Sequence, residues 1–270
     1  MGNLVKTSHS EVNATLLVLD NLGVQPEHFA RLRAEPDYAK RVAEFMLRGG
    51  LEGSVHQKLA RAVMGKNFFG IEDWSSLYGI SFTKKQLREV TEFPWGEDIL
   101  NAPCPFVKSK SIKETHFAFL GLPTINGKPL NIIKWHELHP ATGQPKFYFA
   151  NNPWYGNQEF ATEVACGLRW YLMPLEIVPK SEDKTYDDQK AMLPQDYEVP
   201  TAIAEVTKDI LYYRKNGIYL NPSRYGRCQA VTSGGYRVSV GRFDGSGLLV
   251  SDDWDDDRLS RIGVAASRKF

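Results

Sequence analysis

Cysteine is scarce in this 270-residue sequence, which holds only Cys104, Cys166 and Cys228 and has no CxxC pair. Their odd number and wide spacing argue against both a disulfide framework and a zinc site. No apolar run approaches the roughly 18 residues of a bilayer span, and residues 1–10 lack the apolar segment of a signal peptide. We therefore expect a reduced, cytoplasmic protein without a membrane span.

An excess of either charge is also missing. Lys and Arg number 33 against 32 Asp and Glu, which gives a formal net charge of +1. Proteins held to nucleic acid mainly by charge need a basic excess or a basic face, so this balance disfavours a nucleic-acid partner. Hydrophobic residues make up 42% and aromatic residues 12% of the chain, which is enough for a substantial core.

Common enzyme motifs are missing as well. The sequence has no GxGxxG, GxxxxGK(S/T), GxSxG or HExxH pattern, so it predicts no nucleotide loop, hydrolase elbow or zinc-protease site, and we expect no cofactor. His136 and His139, in WHELHP, are the remaining candidates for catalysis or metal binding. Because Pro140 follows them and residues 131–135 favour β structure, the simpler interpretation places both histidines at the end of a strand.

The most unusual local feature is an acidic run around Trp254, in which five of the six residues 252–257 are aspartates. Carboxylate oxygens are preferred ligands of calcium, so a cation site is one interpretation. The spacing of an EF-hand is absent, however, and Arg258 and Arg261 follow directly. The simpler interpretation is a solvated loop partly neutralised by these arginines, and we predict no metal site. The run consists of Asp252, Asp253, Asp255, Asp256 and Asp257.

The order of predicted elements indicates an α+β protein in two parts. Interrupted apolar stripes of helical period predict a small helical N-terminal module over residues 1–105. Residues 106–270 mix helix with strand, and their clearest helix covers residues 200–215 before Gly217. Short strands punctuated by glycine are predicted at residues 223–228, 236–242, 247–251 and 263–269.

The C-terminal tail carries a more specific pattern than any single motif. Residues 225–270 read YGRCQAVTSGGYRVSVGRFDGSGLLVSDDWDDDRLSRIGVAASRKF. The tail resembles the variable proteins of diversity-generating retroelements, whose C-terminal half has a C-type lectin-like (formylglycine-generating-enzyme-like) fold. The resemblance covers residues 110–270 and implies a C-type lectin-like domain over residues 106–270, with a variable region at about 225–270. The matching segments are G-x-R-V-x-V-G-x-F-D at 235–244, G-L-x-V at 247–250, W-D-x-x-R at 254–258 and G-V-A-x-x-R-K at 263–269.

The resemblance implies a ligand-binding protein and not an enzyme. In such systems a reverse transcriptase copies a template repeat with errors at adenines, and the copy replaces the end of the gene. That enzyme acts on the gene and is not a binding partner. We expect one target, a protein, with Trp254, Arg242 and Arg261 as anchors and the aspartates favouring a basic partner. The expected target-contacting residues are Ser239, Arg242, Leu249, Ser251, Asp253, Trp254, Asp256, Asp257, Leu259, Ser260 and Arg261.

Strand alternation places a physical condition on this hypothesis. Leu249 and Ser251 fall on one face of a strand, which must be exposed if both contact a target. Strict alternation puts Arg242 on the buried face unless a strand end or a bulge turns it outward. The framework residues expected to stay buried are Val238, Val240, Phe243, Leu248, Val250, Trp254, Ile262 and Val264.

Two departures limit what the resemblance implies. The sequence has no EPN or QPD triplet, so calcium-dependent sugar binding is not implied, and no second cysteine lies close to Cys228 as formylglycine generation would need. Two alternatives stay open. One is an enzyme of unrecognised type that uses His136, His139 or the carboxylates of residues 252–257. The other is a structural or phage-associated adaptor that interacts through its N-terminal helices.

Overall fold

The computed structural model describes residues 4–149 and 151–270. It is a mixed α+β protein of mostly short helices and small sheets. The α-helices are α1 His9–Asn21, α2 Pro26–Ala34, α3 Pro36–Leu47, α4 Val55–Met64, α5 Ile71–Tyr78, α6 Lys84–Glu89, α7 Glu97–Asn101, α8 Ile112–Thr115, α9 Ile132–Leu138, α10 Glu159–Thr162, α11 Tyr186–Ala191 and α12 Ala202–Asn216. None of these described helices is long and apolar enough to cross a bilayer.

The strands form four small sheets. A three-stranded sheet has the order β1-β2-β5 and a four-stranded sheet the order β10-β7-β8-β9, while β11 pairs with β6 and β3 with β4. The strands are β1 Phe68–Phe69, β2 His116–Leu120, β3 Thr124–Ile125, β4 Lys128–Pro129, β5 Trp170–Pro174, β6 Tyr197–Glu198, β7 Tyr225–Val231, β8 Arg237–Asp244, β9 Gly247–Asp253, β10 Ile262–Val264 and β11 Ser267–Arg268.

Two compact units divide the chain, Met1–Gly50 and Leu51–Phe270. The smaller unit contains α1–α3, and none of the residues of these three helices is buried. The boundary differs from the sequence-based division at residues 105 and 106. Residues 51–105 belong to the larger unit because Phe68, Phe69 and Trp74 share its core with Phe117 and Trp135.

Helix α12 forms the centre of the larger unit. Most of its residues are buried, and it contacts both β7 and β8. The helix ends at Gly217, whose φ of 68° is the left-handed conformation that glycine adopts without strain. This helix and its stop agree with the pattern predicted from the sequence at residues 200–215.

The segment around the two histidines is a helix and not the predicted strand. The side chain of Asn131 accepts a hydrogen bond from the Lys134 N–H at 2.7 Å and so caps α9. Ile132 and Trp135, three residues apart, are the buried face of this helix. The capping asparagine therefore outweighs the β preference of the residues that follow it.

The four-stranded sheet determines where the C-terminal tail lies. Strand β8 runs antiparallel to both β7 and β9, whereas β10 runs parallel to β7. The chain between β9 and β10 must therefore cross the sheet from one edge to the other. The outer edge of β9 receives hydrogen bonds from residues 148 and 154. The Tyr148 N–H donates to Leu248 O at 2.9 Å, and Trp154 Nε1 donates to Val250 O at 2.9 Å.

The candidate binding surface

The predicted target-contacting residues lie on β8, β9 and the crossing segment between β9 and β10. We call residues 254–261 the crossing loop. In the sheet register Ser251 lies opposite Ser239, and Ser239 lies opposite Arg227. These side chains share one sheet face, and Arg227 on that face contacts the crossing loop. The loop and its face of the sheet are therefore one structural unit.

Two of the predicted contact residues are buried, so the expectation that they face a target is wrong. Ser239 has no exposed surface, and its hydroxyl finds no hydrogen-bond partner within the described part of the chain. Leu249 is 8% exposed and packs with Tyr225 and Ile262 in a small apolar cluster. Both residues lie on the same sheet face as Ser251, but other parts of the chain cover that face at these two positions.

Arg242 is exposed because β8 is irregular at this position, which is the condition that strict alternation set. The β8–β9 register shifts between Gly241 and Asp244, and Arg242 adopts a φ of 43°. Its side chain is exposed, and its N–H donates to Arg224 O at 2.7 Å. Gly241 makes this approach possible because a Cβ there would lie 2.3 Å from Arg224 O.

Trp254 differs from the other expected framework residues. Its side chain is 53% exposed, whereas the remaining seven are buried. The indole packs on the ring of Tyr236, with 4.2 Å between ring centroids. The expectation that Trp254 is buried is therefore wrong, while its exposure agrees with the expected role as an anchor.

The other predicted positions are open to solvent. Asp256, Ser260 and Arg261 are exposed. The side chains that are partly exposed are those of Ser251, Asp253, Asp257 and Leu259.

Arg227 holds the crossing loop through the backbone of the loop. Its side chain is completely buried, and its Nη2 donates to Trp254 O at 2.9 Å and to Asp257 O at 2.8 Å. Its Nη1 donates to Lys184 O at 3.2 Å. The residue therefore ties the loop to β7 and to the segment before α11 at the same time.

Further backbone donors hold the rest of the loop. The Tyr186 N–H donates to Asp255 O at 2.8 Å, and the Asp183 N–H donates to Leu259 O at 3.2 Å. The Tyr225 N–H donates to Arg261 O at 2.8 Å. With the two bonds from Arg227, five carbonyl oxygens of the crossing loop accept hydrogen bonds from outside it. These contacts use atoms that every residue type supplies.

The side chain of Asp255 also helps to hold the crossing loop. Its carboxylate accepts hydrogen bonds from Arg237 Nε and Nη2 at 2.9 and 2.8 Å, a bidentate pair. These bonds lower the pKa of Asp255. Arg237 also lies over the ring of Tyr186, 3.9 Å from its centroid. Asp255 was not among the residues predicted to contact a target, and its pairing agrees with that omission.

Partial burial affects the pKa of the two aspartates at the end of β9. Desolvation raises the pKa of Asp252 and of Asp253, and Asp257 raises the pKa of Asp253 further against the opposing effect of Arg227. Among the described residues, no three His, Cys, Asp or Glu side chains are arranged to hold a metal ion.

His136 and His139 pack elsewhere in the larger unit. His136 Nε2 lies 2.6 Å from Phe149 O, and His139 Nε2 lies 3.2 Å from the Tyr78 hydroxyl. The His139 ring also stacks on Trp135. The acidic run instead contacts Arg227 and Arg237, so these two sets of predicted alternative catalytic groups have separate surroundings.

Comparison of the chain with protein-family models, with curated proteins and with solved structures found no match. A function must therefore be inferred from the residues of the chain itself.

Two buried histidines predict a pH-dependent stability. His116 is fully buried between Tyr197 and Thr115, and burial lowers its pKa to about 3. Burial likewise lowers the pKa of His139 to about 4. Since the unfolded chain then binds more protons, stability present above pH 6.5 is lost as the pH falls. Each histidine should lower the free energy of unfolding by about 2 kcal/mol when the pH falls to 5.

Urea unfolding at pH 7.5, 6 and 5 measures this loss. We expect the double variant His116→Gln/His139→Gln to lose less stability between pH 7.5 and 5 than the parent, whatever its absolute stability. The matched control is His56→Gln, at an exposed histidine. An unchanged pH dependence in the double variant would contradict the assignment.

Proposed function

We propose that this chain is the variable protein of a diversity-generating retroelement, and that it binds a protein target through the crossing loop and the adjoining ends of β8 and β9. The backbone hydrogen bonding of the crossing loop carries this proposal. The hydrogen bonds that the rest of the chain donates to the loop are accepted by its carbonyl oxygens and by Asp255, which is not a proposed contact residue. Most of the proposed contact side chains can therefore change while the loop keeps its course; Asp257, whose Oδ2 accepts the Trp254 N–H, is an exception. The proposed contact residues are Arg242, Ser251, Asp253, Trp254, Asp256, Asp257, Leu259, Ser260 and Arg261.

The positions of the strands support a C-type lectin-like fold for residues 106–270. The strand segments of the family pattern coincide with β8 and β9 and, at residues 263–269, with the successive short strands β10 and β11. Strand β7 lies beside them where the sequence predicts a strand. The residues of that pattern which should not vary, such as Val240 and Val250, are buried against the core. A rigid sheet below an exposed loop is the arrangement that diversification of one surface requires.

The composition of the exposed surface supports a protein target. Tryptophan and arginine are the side chains most enriched in the energetic centres of protein interfaces. Trp254 lies half exposed on Tyr236, and Arg242 and Arg261 are exposed. These side chains offer both apolar area and charge to a target.

The gene itself gives a direct test. We expect a near-copy of the codons for residues 225–270 beside a reverse-transcriptase gene. Among close relatives, we expect amino-acid changes to concentrate at codons 242, 253, 256, 260 and 261, while codons 238, 240 and 250 stay constant. Lack of the near-copy, together with mainly synonymous variation at codons 242, 253 and 256, would overturn the proposal.

A pair of identical substitutions tests the structural basis of the proposal. Ser260→Tyr should change the free energy of unfolding by no more than about 0.5 kcal/mol, since Ser260 is exposed and is held only through its neighbours' backbone. Ser239→Tyr should cost about 3 kcal/mol, because Ser239 is fully buried below the loop. Urea unfolding measures both values. Equal losses would contradict the separation of loop side chains from the scaffold.

A further inference from the structure

A groove of about 530 Å³ lies beside the crossing loop, between α11, the segment before β6 and the β7–β8 pair. Its volume is within the range of small-ligand and peptide sites. The apolar part of its wall is made by Tyr186, Leu193, Pro194, Tyr197 and Val199. Two tyrosine rings and three aliphatic side chains thus offer a surface for one apolar side chain.

The charged part of the wall is basic. Lys190, Arg237 and Lys269 line the groove, and Glu198 is the one carboxylate among its described lining residues. Arg237 is already neutralised by Asp255. The exposed ammonium groups of Lys190 and Lys269 therefore dominate the field in the groove, which favours a ligand with carboxylates.

Two residues that line the groove also bind the crossing loop. Arg237 lines the groove and binds the carboxylate of Asp255, while Tyr186 lines the groove and donates its N–H to Asp255 O. A ligand in the groove thus contacts the side chains that hold the loop. The groove therefore adjoins the loop that carries the proposed target-binding surface.

We propose that this groove binds an acidic peptide segment, with its carboxylates at Lys190 and Lys269 and an apolar side chain against Tyr186 and Tyr197. That the segment belongs to the target of the crossing loop rests on the proposed function, whereas the binding of an acidic peptide does not. A nucleic acid fits less well, because Lys190 and Lys269 neutralise few phosphates and the apolar part of the wall contributes nothing to phosphate binding.

A labelled acidic peptide tests the inference with the full chain. We expect fluorescein-Glu-Leu-Glu-Leu-Glu-Glu to bind at low salt, as measured by fluorescence anisotropy, and the matched Gln-Leu-Gln-Leu-Gln-Gln peptide to bind at least tenfold more weakly. Lys190→Ala and Lys269→Ala should each weaken binding about fivefold. The matched control Lys128→Ala, at an exposed lysine in β4 outside the groove, should leave binding unchanged.

Equal binding of the two peptides, or no effect of either groove lysine, would overturn the inference. Competition by an oligo(dT) strand as strong as by unlabelled acidic peptide would overturn it in favour of nucleic acid. The gene comparison under the proposed function is independent of these measurements. If the peptide experiment fails but the template repeat is found, the inference about the groove is refuted and the proposed variable surface stands.

Discussion

Lys208→Met is expected to destabilise the protein by about 3–5 kcal/mol. Lys208, Glu205 and Asp209 are each 1% exposed or less, on the buried helix α12. Lys208 Nζ lies 2.5 Å from Glu205 Oε1, 3.6 Å from Asp209 Oδ1 and 3.3 Å from Pro174 O. Methionine fills similar space but leaves both carboxylates buried without the cation that compensates them.

The pKa directions agree with this arrangement. Burial alone would lower the pKa of Lys208, but Glu205 and Asp209 outweigh it and raise that pKa above its ordinary value. Burial raises the pKa of Asp209 well above its ordinary value, against the opposing effect of Lys208. We infer that the two carboxylates stabilise the charged form of Lys208.

Urea unfolding of three variants separates charge from packing. The triple variant Glu205→Met/Lys208→Met/Asp209→Leu should recover most of the stability lost by Lys208→Met, because it removes the buried charges together. The surface control Lys85→Met, where the lysine is 87% exposed beside Glu89, should change stability by no more than about 0.5 kcal/mol. A loss below about 1 kcal/mol for Lys208→Met would show that the remaining carboxylates are compensated in another way.

Arg227→Met is expected to release the crossing loop and to cost about 3–5 kcal/mol of stability. The substitution removes the donors that Trp254 O, Asp257 O and Lys184 O accept from. It also removes the positive charge next to Asp253 and Asp257. Amide hydrogen exchange over residues 254–261 should accelerate by at least tenfold while exchange in α12 stays slow.

Two further variants show what Arg227 contributes. Arg227→Lys keeps the charge but cannot span several carbonyl oxygens at once, so its exchange rates should lie between those of the parent and of Arg227→Met. Arg258→Met is the matched control, since Arg258 is 61% exposed and pairs with Asp188 only at 3.4 Å. If exchange in the loop were the same in Arg227→Met and Arg258→Met, the loop would not depend on the buried guanidinium.

Local patterns were sufficient to predict many elements. Helix α3 lies within the helical module that the apolar stripes predicted, and α12 stops at Gly217. Strands β7, β8 and β9 coincide with the alternating segments between glycines. These elements are determined by residues close in the chain, which is why the sequence alone could show them.

The residues that were wrongly predicted to be exposed are buried by contacts between distant parts of the chain. Alternation assigned Ser239 and Leu249 to the correct face, but it could not show that the crossing loop and the apolar cluster with Tyr225 cover that face. The role of Arg227 has the same origin, since its partners lie about thirty residues away on the parallel crossover. The sequence did contain an indication of these contacts. Arginines in β7 and β8 are followed by a run of aspartates, and this charge pattern favours ion pairing.

The pairing of both outer strands of the four-stranded sheet has a consequence for solubility. The Tyr148 N–H is bonded to β9, and the Val178 N–H donates to Val264 O of β10 at 3.0 Å. Open strand edges promote aggregation by pairing with other chains. With both edges engaged, the sheet offers no adjacent template for intermolecular β pairing. If the loop diversifies as proposed, apolar side chains gained there would add contact area without this route to aggregation.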